Sequence, residues 1–419
     1  MNVCLITTGQ PSTNPRLVKE ADTLVEAGHH VHVVGAHWIH WAAATDAEVL
    51  AGRHWTVSLV DWRRESNPRL FHWSRIRSRA ARRTAAVLAP LSDYLAMSAL
   101  SRVGPELYRK ARTVAADLYI AHNIGALPIA CAVGAARRAP VGFDAEDFHS
   151  GQFPLASADP IVAITRRTER RCMPKCAYVT AASPFIAEAY RELCGIPQPP
   201  TILNVFPLND RPDGVPVRQP SDRLTLYWFS QTIGPDRGLE DVVRAMGALG
   251  DGVELHLRGA WFGDYESALR QVAAESGVVQ ARIISHEPAV PGQMVRLATQ
   301  YDVGLALEPG LTPNSDWLLS NKIFTYLLAG NAVVATRTRA QSSLAAHLQD
   351  AAVWCDPGDP VSLAQALQRW YADREVLRRG QAHAWRLGTE RFNWDVEKQK
   401  WLAVVEAAVA SSPRRPRVA

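Results

Sequence analysis

Short apolar runs alternate along this chain with longer stretches whose apolar residues recur every three or four positions. Val3–Thr7 reads as a strand, and "LVKEADTLVEAG", residues 17–28, as a helix that ends at Gly28, where a residue without a Cβ suits the C-terminus. "HVHVVG", "WTVSLVDW", "DLYIAHN", "PVGFDAED", "YVTAAS" and "TILNV" read as further strands, with helices over Ile124–Arg138 and Pro184–Leu193 between them. Apolar strands alternating with amphipathic helices predict a parallel sheet covered on both faces.

The rhythm stops at "NVFPLNDRPDGVPVRQPSDR", which is dense in Pro, Asp and Arg and reads as a linker opening on Asn204. It then restarts. "LTLYWFS", "VELHLRG", "ARIIS", "DVGLALE", "AVVATRT" and "AVWC" are strands. Leu239–Leu249, Asp264–Ser276, Gly292–Thr299, Asn321–Ala329, Ser343–Leu348 and Val361–Tyr371 are helices, and two more close the chain near Arg374–Arg391 and Trp394–Ala410. The expected fold is α/β, two doubly wound Rossmann-like domains facing a cleft. Residues 1–205 form the first, 206–222 the linker, 223–392 the second, 393–410 a terminal helix and 411–419 a disordered tail. Ligands of such sheets bind beyond the carboxyl ends of the strands, so chemistry is expected in the strand-to-helix loops.

Bulk properties narrow the class. The chain has 419 residues, too many for one ordinary core, and is 47% hydrophobic and 21% charged. No run reaches the ~18 apolar residues of a membrane span. The first residues enter a strand without a basic leader, which points to the cytoplasm. Six cysteines without regular spacing do not make a disulfide framework, and Cys172 and Cys176 lack the partners of a zinc site. The net charge of +5 is too mild for a nucleic-acid binder. It is also local: "RLFHWSRIRSRAARR", Arg69–Arg83, holds six arginines and no acid, with Phe71, Trp73 and Ile76 interleaved. This segment is either a face peripheral to an anionic membrane or a solvated surface helix.

Two loops of the second half carry candidate chemistry. Ser320, Asn321 and Lys322 follow a strand and open a helix. Ser320 or Asn321 as N-cap leaves further N–H groups and the helix dipole for an anion, and Lys322 adds a full charge, which suits a diphosphate. The plainer alternative is a capped helix whose lysine reaches solvent. In "SQTIGPDRGLEDVVRAM", Gly234 and Gly238 permit close backbone approach, Ser230, Gln231 and Thr232 offer donors, and Arg237 offers a planar guanidinium. The alternative there is a surface pair of Arg237 with Asp236 or Glu240.

In the first half, His122 and Asn123 end a strand at the lip of the expected cleft. They either orient an acceptor or assist proton transfer, or His122 bonds nearby backbone. Asp144, Glu146 and Asp147 end another strand. Such a crowded set either holds a raised pKa and acts as a base, or caps a helix or binds an arginine. No metal-ligand set is apparent, and no cofactor is expected.

These segments, in this order, resemble the GT-B-fold glycosyltransferases, close to family 4, the retaining nucleotide-sugar transferases. "NPRLVKEADTLVEAGHHVHVVG" resembles the family's first helix and second strand. "DLYIAHNIGALPIA" and "PVGFDAEDF" resemble its D-x-x-x-x-H and D-x-H-E segments. "VTAASPFIAEAY…TILNVFP" looks like its segment ending N-x-x-P, and "SNKIFTYLLAGNAVVAT" like N-K-x-x-E-Y-x-x-x-G-x-P-V-V. "SQTIGPDRGLEDVVRAM" resembles its G-R-x…K-G-x-x loop, and "CDPGDPVSLAQAL" the segment after its last strand.

The resemblance implies that the second domain binds a nucleoside-diphosphate sugar, that the first binds a glycan or lipid-linked acceptor, and that the terminal helix crosses back to the first. It implies a diphosphate contact at Arg237 and a second at Lys322, with Gly9 in the first loop near the sugar or acceptor. Three positions depart from the pattern. Thr325 replaces the glutamate that grips the ribose, so either Glu308 or another residue holds it, or the donor binds differently. Gln231 or Thr232 replaces an arginine, and Glu146 replaces a histidine that approaches the donor sugar. A nucleotide-sugar epimerase, an inverting transferase and an inactive transferase-like binding protein are the alternatives on the same scaffold.

Overall fold

Strands rich in Val, Ile and Leu bury both faces when helices cover the sheet on each side, and the chain does this twice. The computed structural model describes residues 1–39, 42–87, 91–154, 156–218 and 221–411. The tail expected beyond Ser411, and Gln219 and Pro220 of the expected linker, lie outside these residues.

The first sheet contains β1 (Asn2–Thr7), β2 (His30–His37), β3 (Thr56–Asp61), β4 (Leu118–His122), β5 (Val141–Ala145) and β6 (Tyr178–Ala181), in the order β3-β2-β1-β4-β5-β6. All neighbours are parallel, with Leu5 opposite Val33 on one side and Ile120 on the other. The second contains β7 (Leu224–Ile233), β8 (Val253–Trp261), β9 (Ile283–His286), β10 (Val303–Ala306), β11 (Ala332–Thr336) and β12 (Ala352–Cys355), in the order β12-β11-β10-β7-β8-β9. It is the same doubly wound order, as expected from the alternation. Successive crossovers diverge between β1 and β4, and again between β7 and β10. Each divergence leaves a crevice beyond the strand ends.

One face of the second sheet packs Trp228, Leu255, Leu257 and Leu305 against Val242, Val243 and Met246 of the helix Leu239–Leu249 and Leu367 and Trp370 of the helix Pro360–Ala372. On the other, Tyr326 of the helix Asn321–Leu328 lies over β10 and donates its hydroxyl to the carbonyls of Tyr227 and Leu305, each at 3.2 Å. The contact requires Gly304, because a Cβ there would come within 2.1 Å of the Tyr326 ring. Gly304→Ala is therefore expected to cost about 1–3 kcal/mol of overpacking, read as a lower denaturant midpoint.

Two expected elements differ. "TILNV" is not a strand: Thr201 makes one bridge to Ala181, and the Ile202 carbonyl accepts from Arg16 Nη1 at 2.7 Å instead of extending a ladder. β7 runs to Ile233 through an irregularity between Phe229 and Thr232, so Ser230, Gln231 and Thr232 belong to the strand and not to the following loop.

The chain divides into two compact units, Met1–Ile202 with the chain from Lys398 on, and Leu203–Glu397. The linker segment is not free within the second unit. Leu208 N–H donates to Asp395 Oδ2 at 2.9 Å, and Arg218 donates to the carbonyls of Tyr301 at 2.5 Å and Gly330 at 2.9 Å. No helix of the described residues is long and apolar enough to cross a membrane.

Candidate functional site

In the second unit, two strand-to-helix connections meet beyond the β7–β10 divergence. After β7 the backbone turns through left-handed Asp236 (φ 58°) and Gly238 (φ 70°), with exposed Arg237 between them. Only glycine adopts this geometry at little cost, and a Cβ at Gly238 would also meet Leu307 Cβ at 3.1 Å. Gly238 is the N-cap of the helix Leu239–Leu249 and has no side chain to cap it.

After β10 the chain reaches Glu308, whose carbonyl accepts from Thr336 Oγ1 at 2.7 Å. Ser320 is the N-cap of the helix Asn321–Leu328, but it does not cap that helix. Its hydroxyl donates to Glu308 Oε1 at 2.8 Å, and Lys322 Nζ lies 3.5 Å from the same oxygen. The capping role expected of Ser320 is thus corrected: its side chain is turned to donate to a nearby carboxylate and accepts from none of the helix's own N–H groups. Both helices consequently open without a side-chain cap, and the first-turn N–H groups and dipole at each end favour an anion. Lys322 Nζ also sits 5.7 Å from the Trp228 ring centroid, which fixes its direction.

Burial alone would raise the Glu308 carboxyl. The charges of Lys322 and Arg237 and the Ser320 hydrogen bond overcome this and hold it below the usual carboxylate range. Arg237 and Lys322 therefore act on one carboxylate, which makes them neighbours in a single electrostatic site. Beside it opens a cavity of about 360 Å³, lined by Gly238, Leu307 and Glu308 together with Asp241, Arg244, Asp356 and Asp359. The carboxylates of this lining suit hydroxyl donors, whereas the two helix ends suit phosphate.

The other expected donor residues fare differently. Thr325 is fully buried, and its hydroxyl donates one turn back to the Asn321 carbonyl at 3.2 Å. Its hydroxyl is spent within its own helix and closed off from solvent, so Thr325 is corrected as a candidate donor-binding residue. Asn321, Gln231 and Thr232 are exposed, while Gly234 is buried against Phe262. Gly9 belongs to the first unit, where its carbonyl accepts from Ala36 N–H at 3.0 Å.

In the first unit, His122 is not at a lip. It is fully buried, and this corrects the expectation of an accessible acid–base residue. Thr7, His122, Asp144 and Thr180 stand side by side on β1, β4, β5 and β6. The helix Pro15–Glu26 lowers Arg16 and Glu20 onto this row. Arg16 Nη2 donates to Asp144 Oδ1 at 2.6 Å, Arg16 Nε lies 2.5 Å from Asp144 Oδ2, and Thr180 Oγ1 donates to Asp144 Oδ1 at 2.8 Å. His122 Nε2 is 3.2 Å from Glu20 Oε2, and its Nδ1 is 3.7 Å from Asp144 Oδ2 and 3.9 Å from Glu146 Oε1.

Burial disfavours the imidazolium, yet Glu20, Glu146 and Asp144 together push the His122 pKa up to about 10. Burial, and then the Asp144 charge, push the Glu20 carboxyl up. The imidazole keeps its proton and is clamped between carboxylates, while Asp144 is the partner of an arginine and not a free base. Glu20, His122 and Asp144 are metal-ligand types within 4.8 Å of one another, but Arg16 already supplies the cation. Asn123 stands in left-handed backbone (φ 71°) with its side chain bonded to Thr7, Thr8 and the Ala126 N–H. Asp147 accepts from Gln152 at 3.1 Å. Among the expected residues of this unit, Asn123, Glu146 and Asp147 remain partly exposed.

Arg16 and Glu20 were not singled out from the sequence. The available signal was two opposite charges one turn apart on the apolar side of an otherwise amphipathic helix.

No protein-family model and no curated protein matches the chain. Solved structures do. HepE of Anabaena, in complex with UDP and glucose, superposes with a TM-score of 0.70 at 15% identity, over 97% of this chain and 100% of that one. A glycosyltransferase from Rickettsia africae superposes with a TM-score of 0.68 at 12% identity, over 98% and 99%. Sucrose-phosphate synthase from Thermosynechococcus elongatus gives 0.70 at 14% identity, over 98% and 100%. The chain thus has the two-domain α/β fold of GT-B glycosyltransferase structures.

Proposed function

We propose that the protein transfers a sugar from a nucleoside-diphosphate sugar to an acceptor hydroxyl, with retention at the anomeric carbon and without a metal. One observation carries this reading: Lys322, Arg237 and two uncapped helix ends converge around Glu308. When the bond from the anomeric carbon to the diphosphate breaks, its electron pair goes to the diphosphate. The acceptor oxygen bonds to the anomeric carbon, and its proton passes to the departing diphosphate oxygen. Lys322, Arg237 and the helix N–H groups hold the negative charge that develops, a preorganised electrostatic role. The sugar hydroxyls take the acidic cavity, and Glu308 is placed to accept from a ribose or sugar hydroxyl in place of Thr325. HepE holds UDP and glucose, which makes UDP-glucose the first donor to try. The acceptor is a glycan or lipid-linked glycan of a bacterial surface polysaccharide, lipopolysaccharide or glycolipid, met at the inner face of the membrane.

A thermal-shift screen against nucleoside diphosphates tests the donor site. A specific binder present at a hundred times its Kd stabilises the fold by about 2.7 kcal/mol, a rise of several degrees. Arg237→Ala is expected to abolish that rise, and wild-type protein that no nucleoside diphosphate stabilises would refute the reading. One observation favours a second reading, a transferase-like binder without turnover: the ribose-gripping position is filled by the inward-turned Thr325. Stabilisation by UDP with no donor hydrolysis or transfer would select it.

A further inference from the structure

The helix Pro68–Val87 has two faces of different character. Its inner face places Ala81 and Ala85 against Leu91, Ala96, Ala99 and Ile164. Two of its arginines are spent on that side: Arg77 pairs with Glu106 at 2.5 Å, and Arg82 Nε donates to the Ala99 carbonyl at 3.0 Å. The outer face is different. Trp73 is 58% exposed and Ile76 62%, three residues apart and so on one side of the helix. Arg69 and Arg83 extend the same stripe one to two turns beyond them, with Arg75 and Arg79 along its flank.

Among the described residues these four arginines make no ion pair or hydrogen bond. The helix contains no acid to neutralise them. Arg75 and Arg79 disfavour the charge on nearby Arg102, an effect second only to that residue's burial. A soluble surface normally disperses such charge and covers a neighbouring tryptophan and isoleucine.

We infer that the outer face of the helix Pro68–Val87 docks on an anionic lipid bilayer, with Trp73 and Ile76 entering the headgroup–acyl boundary and Arg69, Arg75, Arg79 and Arg83 meeting lipid phosphates. A bilayer is the occupant that matches both features at once. Its phosphate layer is a two-dimensional array of anions, which answers several unpaired guanidiniums along one stripe. Its interface accepts an indole and an aliphatic chain at the same depth. A nucleic acid would answer the charge but leave Ile76 in water, and an acidic protein groove would need only a few of the arginines. The inference concerns a surface remote in sequence from the donor loops and does not depend on the proposed chemistry.

Co-sedimentation of the full chain with phosphatidylcholine vesicles, with and without phosphatidylglycerol, tests it. Binding is expected only with phosphatidylglycerol and is expected to fall as salt rises. Each Arg→Gln change at Arg69, Arg75, Arg79 or Arg83 should weaken binding by about fivefold. Trp73→Ala with Ile76→Ala should weaken it at least about tenfold, even at low salt. Both sets of side chains are exposed, so the unfolding midpoint is expected to stay within a degree or two of wild type, roughly the effect of ordinary surface changes. No sedimentation with anionic vesicles, or sedimentation unchanged by both sets, overturns the inference. Retention of the protein by duplex DNA or RNA in place of vesicles does so as well. A nucleoside-diphosphate thermal shift on the same preparations reports the donor site separately, so either idea fails without the other.

Discussion

Lys322→Ala is expected to slow sugar transfer by roughly a hundredfold to a thousandfold, and Arg237→Ala by a similar factor. The two side chains bear on the single carboxylate of Glu308 from different helix ends, so they also bear on any anion beside it. In the ground state the diphosphate of a nucleotide sugar already carries charge, and part of what each residue supplies is uniform binding. The part that changes turnover is the added charge on the leaving diphosphate, held in a partly buried site where a cation acts more strongly than in water. Loss of kcat should therefore exceed loss of donor affinity for Lys322, whose ammonium is fixed by Glu308 and Trp228. Exposed Arg237 should show more of its effect in KM. Arg237→Ala removes an exposed side chain, so its unfolding midpoint should move little, whereas Lys322→Ala leaves the largely buried Glu308 carboxylate without its nearest cation and should lower the midpoint. Steady-state transfer or donor-hydrolysis kinetics on folded variants is the check, and unchanged rates in both would remove the proposed chemistry.

Asp144→Asn is expected to destabilise the protein by about 3–5 kcal/mol, because it leaves the Arg16 guanidinium buried without its counter-charge. Arg16 and Asp144 are both fully buried, and the other carboxylate beside the guanidinium, Glu20, is farther away, at 3.5 Å from Arg16 Nε. The same cluster sets a pH dependence. His122 titrates near its ordinary 6.5 when unfolded and at about 10 when folded. A raised folded pKa means that its contribution is fully present below about pH 6.5 and is lost as pH rises through 10. The Glu20 carboxyl is also pushed up, so its contribution has the same sign, greatest in acid and falling with rising pH. Denaturant midpoints measured from pH 6 to pH 10 should therefore fall in the wild type and fall less in His122→Gln. A flat wild-type profile, or an Asp144→Asn cost below about 1 kcal/mol, would show that the cluster is not the buried ionic unit described here.

Much of the architecture could be read from residue order. The helices Leu239–Leu249 and Trp394–Ala410 and the strand Ala352–Cys355 have the boundaries that the apolar pattern predicts. These depend on neighbours three or four positions away and on local stops such as Gly28 and Gly250. Where the pattern misled, a distant group was the cause. Arg16 takes the Ile202 carbonyl from across 186 positions, so "TILNV" pairs only once. The Ser320 side chain is turned to donate to Glu308 and does not make the cap that local preference favours.

The candidate site divides along the same line. The residue types at the two donor loops, a lysine and an arginine each at a helix opening, were visible as letters. That both act on Glu308 depends on β7 and β10 becoming neighbours although 69 positions separate Ile233 from Val303, a pairing made by the sheet. His122 and Asp144 had the composition of an accessible acid–base pair. Their burial depends on the register that aligns β4 with β5 and on a helix that carries Arg16 and Glu20 over them. Periodicity and chain punctuation, which act over one or two turns, were sufficient for the class of fold and the position of most elements. Which charges meet, which hydroxyl caps and which histidine sees solvent were decided by contacts between residues far apart in the chain, because electrostatics and burial act on distance in space and not on separation in sequence.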